Sequence, residues 1–247
     1  MKTFWILRGE GIECEKESFR FFSTPNLKLK CEYVLIPEIL ANPEKALSNL
    51  KAGDWMVFPG GFSFADHLGS GRLLSFKFGQ KKVFEQLIQK KVHMIGICNG
   101  FQILSAGKLF GDNVFLERNQ PGGFVNKNVK LKGWREQDFY FTCRHGEGRL
   151  VIEGDFKAGV QTLMTYNDEH FNNGSQDKIA GLVARHQDSY VVGLMPHPEI
   201  ALRAMDQADF VGPEHPGEFA ARMEEADGDG VRFFNDLLKD VEEKRFL

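Results

Sequence analysis

Three side chains in this sequence have the types and spacing for acyl chemistry: a cysteine between glycines, a histidine between prolines, and a glutamate two positions beyond that histidine. The cysteine lies in Val92-His93-Met94-Ile95-Gly96-Ile97-Cys98-Asn99-Gly100-Phe101-Gln102-Ile103-Leu104. Apolar, β-branched residues lead into Gly96, and Phe101, Ile103 and Leu104 open a helical rhythm beyond Gly100. The pattern predicts a strand, a sharp turn at Cys98 and a helix. Glycines two residues before and two after leave room for strained backbone and close packing, and the side chain between them is pushed outward. The helix N-terminus then sets free N–H groups and positive partial charge beside the sulfur, favouring a thiolate and any oxyanion formed nearby. A lone cysteine is equally a small buried hydrophobe. A free thiol of pKa ~8.5 is only a few per cent ionised at neutral pH, so the nucleophilic reading requires a base and an orienting carboxylate.

Both are available in Val191-Val192-Gly193-Leu194-Met195-Pro196-His197-Pro198-Glu199, where a buried strand runs into two prolines. Residues i and i+2 of an extended chain point the same way, and prolines favour extended neighbours, so His197 and Glu199 are expected on one side as base and orienter. Without Cys98 in view, the same residues would read as a surface histidine beside a carboxylate at a strand end.

The elements that must position these groups follow from alternation. Thr3 to Leu7, Cys31 to Ile36 and Asp54 to Phe58 read as apolar strands. Ile12 with Phe19 to Phe22, a short helix within Pro37 to Leu50, and one helix over Leu73 to Lys90 supply the connections. Strands alternating with helices predict a parallel sheet. The third strand ends in Pro59-Gly60-Gly61-Phe62-Ser63-Phe64-Ala65-Asp66-His67-Leu68-Gly69-Ser70-Gly71, too glycine-rich for a helix; it reads as a ligand-facing loop or as a plain turn. Beyond the elbow helix, Asn113 to Leu116, Phe124 to Leu131, Phe139 to Cys143, Arg149 to Ile152, Gln161 to Tyr166, Ile179 to Ala184 and Tyr190 to Met195 alternate as antiparallel strands. His145-Gly146-Glu147-Gly148 and Asn172-Asn173-Gly174-Ser175 read as hairpin loops. Arg222 to Phe246 closes the chain as a packing helix, and Ala201 to Gly217 reads as a surface insertion.

Composition excludes several functions. At 247 residues, 42% hydrophobic and 26% charged, the chain buries one sizeable core, and residues 1–247 are read as a single domain. A net charge of -3 without a basic stripe argues against nucleic acid or an anionic membrane as partner. No apolar run approaches a signal core or a membrane span, so the protein is expected in the cytoplasm. The four cysteines, Cys14, Cys31, Cys98 and Cys143, show neither a CxxC pair nor zinc-type spacing and are expected as free thiols. Gly9 and Gly11 begin a dinucleotide fingerprint, but Cys14 stands at its third glycine position, and no glycine-rich loop is followed by Gly-Lys-Ser or Gly-Lys-Thr. His145 and Glu147 without a third ligand make a poor metal site. Neither a cofactor nor a metal is therefore expected in this chain.

Taken together, Gly96 to Leu104, Pro59-Gly60-Gly61-Phe62-Ser63, His145-Gly146-Glu147-Gly148 and Pro196-His197-Pro198-Glu199 resemble the class I glutamine amidotransferase family, in order and over nearly the whole chain. The CNGFQIL, PGGFS and HGEG segments resemble more narrowly the branch that serves as glutaminase subunit of phosphoribosylformylglycinamidine synthase. The resemblance implies a three-layer α/β fold with a mostly parallel central sheet, a nucleophile elbow and a smaller antiparallel sheet. It implies that Cys98 attacks the glutamine amide, His197 transfers protons and Glu199 orients the imidazole. It also implies an oxyanion hole from the backbone N–H groups of Gly61 and Asn99, and contact of Gln102 with the glutamine backbone. The partners it implies are glutamine, a synthetase subunit using ATP and magnesium, and a small third subunit. Phe64, Ala65 and His67 stand where that branch usually has Tyr, Gly and Tyr, and Ile200 stands for a common Arg. Three other readings stay open: a subunit serving another acceptor, a non-catalytic docking subunit, and a cysteine hydrolase of peptides or esters.

Overall fold

The computed structural model describes residues 2–169, 171–202 and 227–246. Five strands run parallel: β1 (Thr3–Arg8), β2 (Lys30–Leu35), β3 (Trp55–Phe58), β4 (His93–Ile97) and β11 (Ser189–Leu194). They belong to a nine-stranded sheet of order β2-β1-β3-β4-β11-β10-β9-β6-β7. Its second part, β10 (Ile179–His186), β9 (Val160–Tyr166), β6 (Val125–Gly133) and β7 (Asp138–His145), is antiparallel. A separate antiparallel pair joins β5 (Val114–Arg118) to β8 (Glu147–Ile152). Every residue of β3, β4 and β11 is buried, as continuous apolar strands covered on both faces require.

The chain leaves β1 leftward through α1 (Glu15–Phe22) to β2, and leaves β3 rightward through α4 (Arg72–Gln80) and α5 (Val83–Gln89) to β4. Right-handed crossovers in opposite directions place these helices on opposite faces, giving three layers. On one face Phe21 and Phe22 meet Phe234 of α7 (Asp229–Glu242), with ring centroids 5.2 and 4.8 Å apart. On the other, Phe58, Phe78 and Phe84 pack within 6.3 Å of one another. The reversal between β1 and β3 brings together the loops after their carboxyl ends, and Ile12 bridges Gly61 there. Such a switch point is where doubly wound sheets hold ligands.

Several expectations change. Leu73 to Lys90 is two helices: Lys82 takes a φ of 53° and breaks the run. Pro37 to Leu50 holds two short helices, α2 (Ile36–Ala41) and α3 (Pro43–Ala46), because the Asn42 side chain caps the second by accepting from the Lys45 N–H at 3.0 Å. Neither proposed hairpin exists. β7 pairs with β6 and β8 with β5, so Gly146 is a corner at which the chain changes sheets. Asn173 is buried and donates to the Gly148 carbonyl at 2.9 Å, so the Asn172 to Ser175 loop packs along β8. The closing helix begins at Asp229; Arg222 to Ala226 and most of the Ala201 to Gly217 insertion lie outside the described residues. Among the described residues no helix is long and apolar enough to cross a membrane.

The elbow helix α6 (Asn99–Ala106) lies so close to β3 that a Cβ at Gly100 would stand 1.8 Å from the Phe58 carbonyl oxygen. Gly100→Ala forces helix and strand apart and is expected to cost about 3 kcal/mol, read as a lowered urea midpoint with an unchanged denaturant slope.

Candidate active site

Cys98 stands between β4 and α6 with φ 53° and ψ -108°, a conformation that costs a non-glycine residue on the order of 1–3 kcal/mol. Its own backbone holds it there. The Cys98 N–H donates to the Leu194 carbonyl at 2.7 Å, and its carbonyl accepts from the Gln102 N–H at 3.1 Å. The sulfur is nearly buried and its thiol faces the Arg144 carbonyl oxygen at 3.4 Å, at the end of β7. Asn99 is the first residue of the helix, so its N–H has no acceptor within the helix.

His197 reaches the same space from the strand beside β4. Its N–H donates to the Thr142 carbonyl at 2.9 Å, and its Nδ1 lies 2.7 Å from Glu199 Oε1 with both residues buried. The backbone is not extended throughout: Pro198 starts a single 3-10 turn, Pro198–Ile200, and this turn folds Glu199 back under the ring. The sequence reading placed the two side chains together through a straight backbone; the geometry uses a turn. Burial opposes a charged imidazolium, but the Glu199 carboxylate and the Cys98 sulfur outweigh it and raise the His197 pKa above the ordinary histidine range. A histidine made more basic is a better acceptor for the thiol proton. Nδ1 facing a carboxylate carries the hydrogen, which leaves Nε2 as the acceptor. His197 Nε2 and Glu199 Oε2 are buried without hydrogen-bond partners.

The glycine-rich loop is fastened to this pair of elements. Asn99 Oδ1 accepts from the Ser63 N–H at 3.1 Å, and its Nδ2 donates to Gln102 Oε1 at 2.9 Å and to Asp66 Oδ1 at 3.3 Å. Gln102 Nε2 donates in turn to the Glu147 carbonyl. The Ser70 N–H donates to Glu147 Oε2 at 3.2 Å, and the Ser70 hydroxyl to Asp66 Oδ2 at 3.1 Å. Phe64, Ala65 and Asp66 all take φ 52°. Ala65 thus adopts the conformation that suits glycine, the residue usual there in the branch it resembles. Gly61 has φ +145°, and a Cβ on it would sit 2.5 Å from the Gly11 carbonyl oxygen.

The structure separates the two residues weighed as metal ligands. His145 Nδ1 faces Asn119 Oδ1 at 3.2 Å, whereas the Glu147 carboxylate serves the loop. Burial, with the neighbouring His197, lowers the His145 pKa to about 4, so it is neutral near pH 7.

Sequence reasoning missed two residues here. A Cβ at Gly60 would lie 2.9 Å from His197 Cε1, 3.2 Å from Cys14 Sγ and 3.6 Å from Cys98 Cβ, so Gly60 is the floor of the site and Cys14 one of its walls. The failed dinucleotide fingerprint had already set Cys14 apart as a sulfur where glycine was due. Burial, then the charges of Glu199 and Cys98, push the Cys14 thiol far up in pKa, so it stays protonated.

Residues 2–237 match the CobB/CobQ-like glutamine amidotransferase domain. The chain belongs to this family. It is 30% identical over 262 aligned positions, covering 95% of each chain, to phosphoribosylformylglycinamidine synthase subunit PurQ of Dehalococcoides mccartyi. Among solved structures it resembles PurLQS from Thermotoga maritima, with a TM-score of 0.70 at 24% identity over 96% of this chain and 98% of that one. A GMP synthase component from Thermoplasma acidophilum superposes at a TM-score of 0.58 and 12% identity, covering 99% of this chain and 96% of that one. These two likenesses establish the shared α/β architecture, with its large mixed sheet and small antiparallel one. The family is one of enzymes that release ammonia from glutamine, and the sulfur, imidazole and carboxylate assembled here are the groups such chemistry needs.

The roles separate by pH. Glu199→Gln removes the charge that raises the His197 pKa, so the alkaline limb of kcat/KM for glutamine moves to lower pH, by at least about one unit. The loss at the optimum is expected to be smaller than in His197→Ala, and an unmoved limb would contradict the charge argument.

Proposed function

We propose that this chain is the glutaminase subunit of a phosphoribosylformylglycinamidine synthase. It hydrolyses glutamine to glutamate and ammonia, and the ammonia goes to a synthetase subunit for conversion of formylglycinamide ribonucleotide to formylglycinamidine ribonucleotide. What carries this reading is the cysteine on a strained elbow facing a buried histidine–glutamate pair, in a chain similar over 95% of its length to a PurQ subunit.

Cys98 Sγ attacks the side-chain amide carbon while His197 Nε2 accepts the thiol proton. The thiol turns from the Arg144 carbonyl toward the ring to do so, a single χ1 rotation. The N–H groups of Gly61 and Asn99 stabilise the tetrahedral oxyanion; one such donor is worth about 3–4 kcal/mol, more than the roughly 2 kcal/mol needed to ionise an ordinary thiol at neutral pH. His197 then gives its proton to the amide nitrogen, the C–N bond breaks, and ammonia leaves a glutamyl thioester on Cys98. Water, deprotonated by His197, attacks the thioester; glutamate leaves and the thiol is restored. Glu199 holds the imidazole and balances its charge. Gln102 meets the backbone end of glutamine, after exchanging its bonds to Asn99 and Glu147.

The synthetase supplies what this chain does not, ATP with magnesium and the ribonucleotide, and a small third subunit joins the assembly. Phe62 and Leu68 on the glycine-rich loop and Phe76 on α4 expose 46%, 76% and 61% of their surfaces, an apolar rim beside the site that fits a docking face. The assembly works in the cytoplasm.

The test measures glutamate release by wild type and Cys98→Ala, each alone and with a formylglycinamide ribonucleotide synthetase subunit plus its nucleotides. Release by wild type alone or boosted by the partner, with none from Cys98→Ala, is expected. Absence of release under every condition would overturn the reading.

A further inference from the structure

Cys14 has no part in the acyl chemistry, yet its sulfur forms one wall of the site. Its Sγ, a ring nitrogen of His197 and a carboxylate oxygen of Glu199 all lie within 4.8 Å of one another. Among the described residues this is the one group of three or more cysteine, histidine and acidic side chains gathered so closely. Two further observations point to a ligand there. His197 Nε2 and Glu199 Oε2, the atoms left over from the mutual bond of the pair, are buried with no partner. Gly60 has no side chain to keep the sulfur from the ring: the point where its Cβ would stand is 3.2 Å from Cys14 Sγ and 2.9 Å from His197 Cε1.

We propose that Cys14, His197 and Glu199 form a binding site for a thiophilic divalent cation of the zinc class, and that occupancy of this site silences the enzyme.

The donor set is the first argument. One thiolate, one neutral imidazole and one carboxylate supply sulfur, nitrogen and oxygen, the ligands zinc takes, in the three-ligand arrangement that leaves its fourth position open. Two negative charges match the cation, which relieves the cost of keeping the carboxylate buried. The second argument is size. Tetrahedral bonds of about 2.0–2.3 Å put ligand atoms roughly 3.3–3.8 Å apart, so side-chain rotations of about an ångström close the group onto an ion. Binding displaces the thiol proton of Cys14 to solvent, one proton for each ion bound, since a coordinating thiol is deprotonated outright.

Silencing follows from the shared imidazole. A ring nitrogen bonded to a metal cannot carry a proton from thiol to leaving amide, and a carboxylate bound to the metal no longer orients the ring. Chelation restores both, so the effect is reversible. This second half rests on the glutaminase reading; the binding itself does not.

Cobalt is the probe, because thiolate coordination gives it an intense near-ultraviolet charge-transfer band. Chelator-treated full-length wild type, Cys98→Ala, Cys14→Ala and Cys14→Ser are titrated with cobalt, after thermal melts establish that each variant is folded. The band is expected in wild type and in Cys98→Ala, zinc should displace it, and Cys14→Ala and Cys14→Ser should lose it, with apparent affinity at least about tenfold weaker. No band in wild type, a band surviving in Cys14→Ala, or one lost in Cys98→Ala would overturn the site. In a second arm, zinc inhibition of glutamate release is taken as the ratio of inhibited to uninhibited rate within each protein. Inhibition of wild type at zinc concentrations that displace cobalt, weakened about tenfold in Cys14→Ser, supports silencing. Equal inhibition of both proteins refutes it. Should the chain release no glutamate at all, the optical titration still decides the site independently of the function.

Discussion

The contact on which the site depends is between backbone and backbone. Gly100 lies against the Phe58 carbonyl, closer than any side chain would permit, and this seats α6 directly on β3. Only with the helix so placed does the turn before it become tight enough to force Cys98 into its strained conformation. The strain of about 1–3 kcal/mol is small beside the burial of Ile95, Ile97, Phe101, Ile103 and Leu104 around it. Core packing thus overdetermines a local geometry that no peptide would hold, and the sulfur is presented at the head of a helix.

The charges of the site are organised around the same point. His197 and Glu199 are removed from water as a pair, which is tolerable because their mutual bond is short and the imidazole can hold its proton. His145, a few ångströms further into the protein and equally buried, is kept neutral. One histidine is therefore tuned up and the other down by neighbours of opposite kind, a carboxylate for the first and an imidazolium for the second. Asn99 ties the arrangement to the glycine-rich loop through Ser63 and Asp66, so the residue that follows the nucleophile also sets the position of the loop opposite it.

Much of this was legible in the sequence, for identifiable reasons. The elbow is written in glycine spacing and the switch from strand to helix rhythm around Cys98, both local signals. The strand positions from Val114 to Leu194 are written in simple alternation. Pairing was not legible. HGEG looks like a hairpin because two strands flank a glycine, yet β7 and β8 choose partners distant in sequence, and nothing local records that choice. Lys81 and Lys82 split one apolar helical rhythm into α4 and α5, and periodicity passes over a break of that length. Pro198 begins a turn where the dipeptide rule suggested extension. Cys14 was discounted because it spoiled a glycine motif, whereas its position across Gly60 from the histidine is a tertiary fact.

The sheet order carries a last consequence, for how the molecule is made. The nucleophile strand β4 is finished early in the chain, but its neighbour β11 is the last strand of all, inserted between β4 and β10. Until it emerges, one edge of β4 is unpaired and the Cys98 N–H has no Leu194 carbonyl to meet. The elbow and the histidine are therefore completed by the same late event, a contact of high sequence separation that makes closure slow. A nascent chain carries its sulfur without its base, and it becomes competent all at once, when the final strand slides into the centre of the sheet.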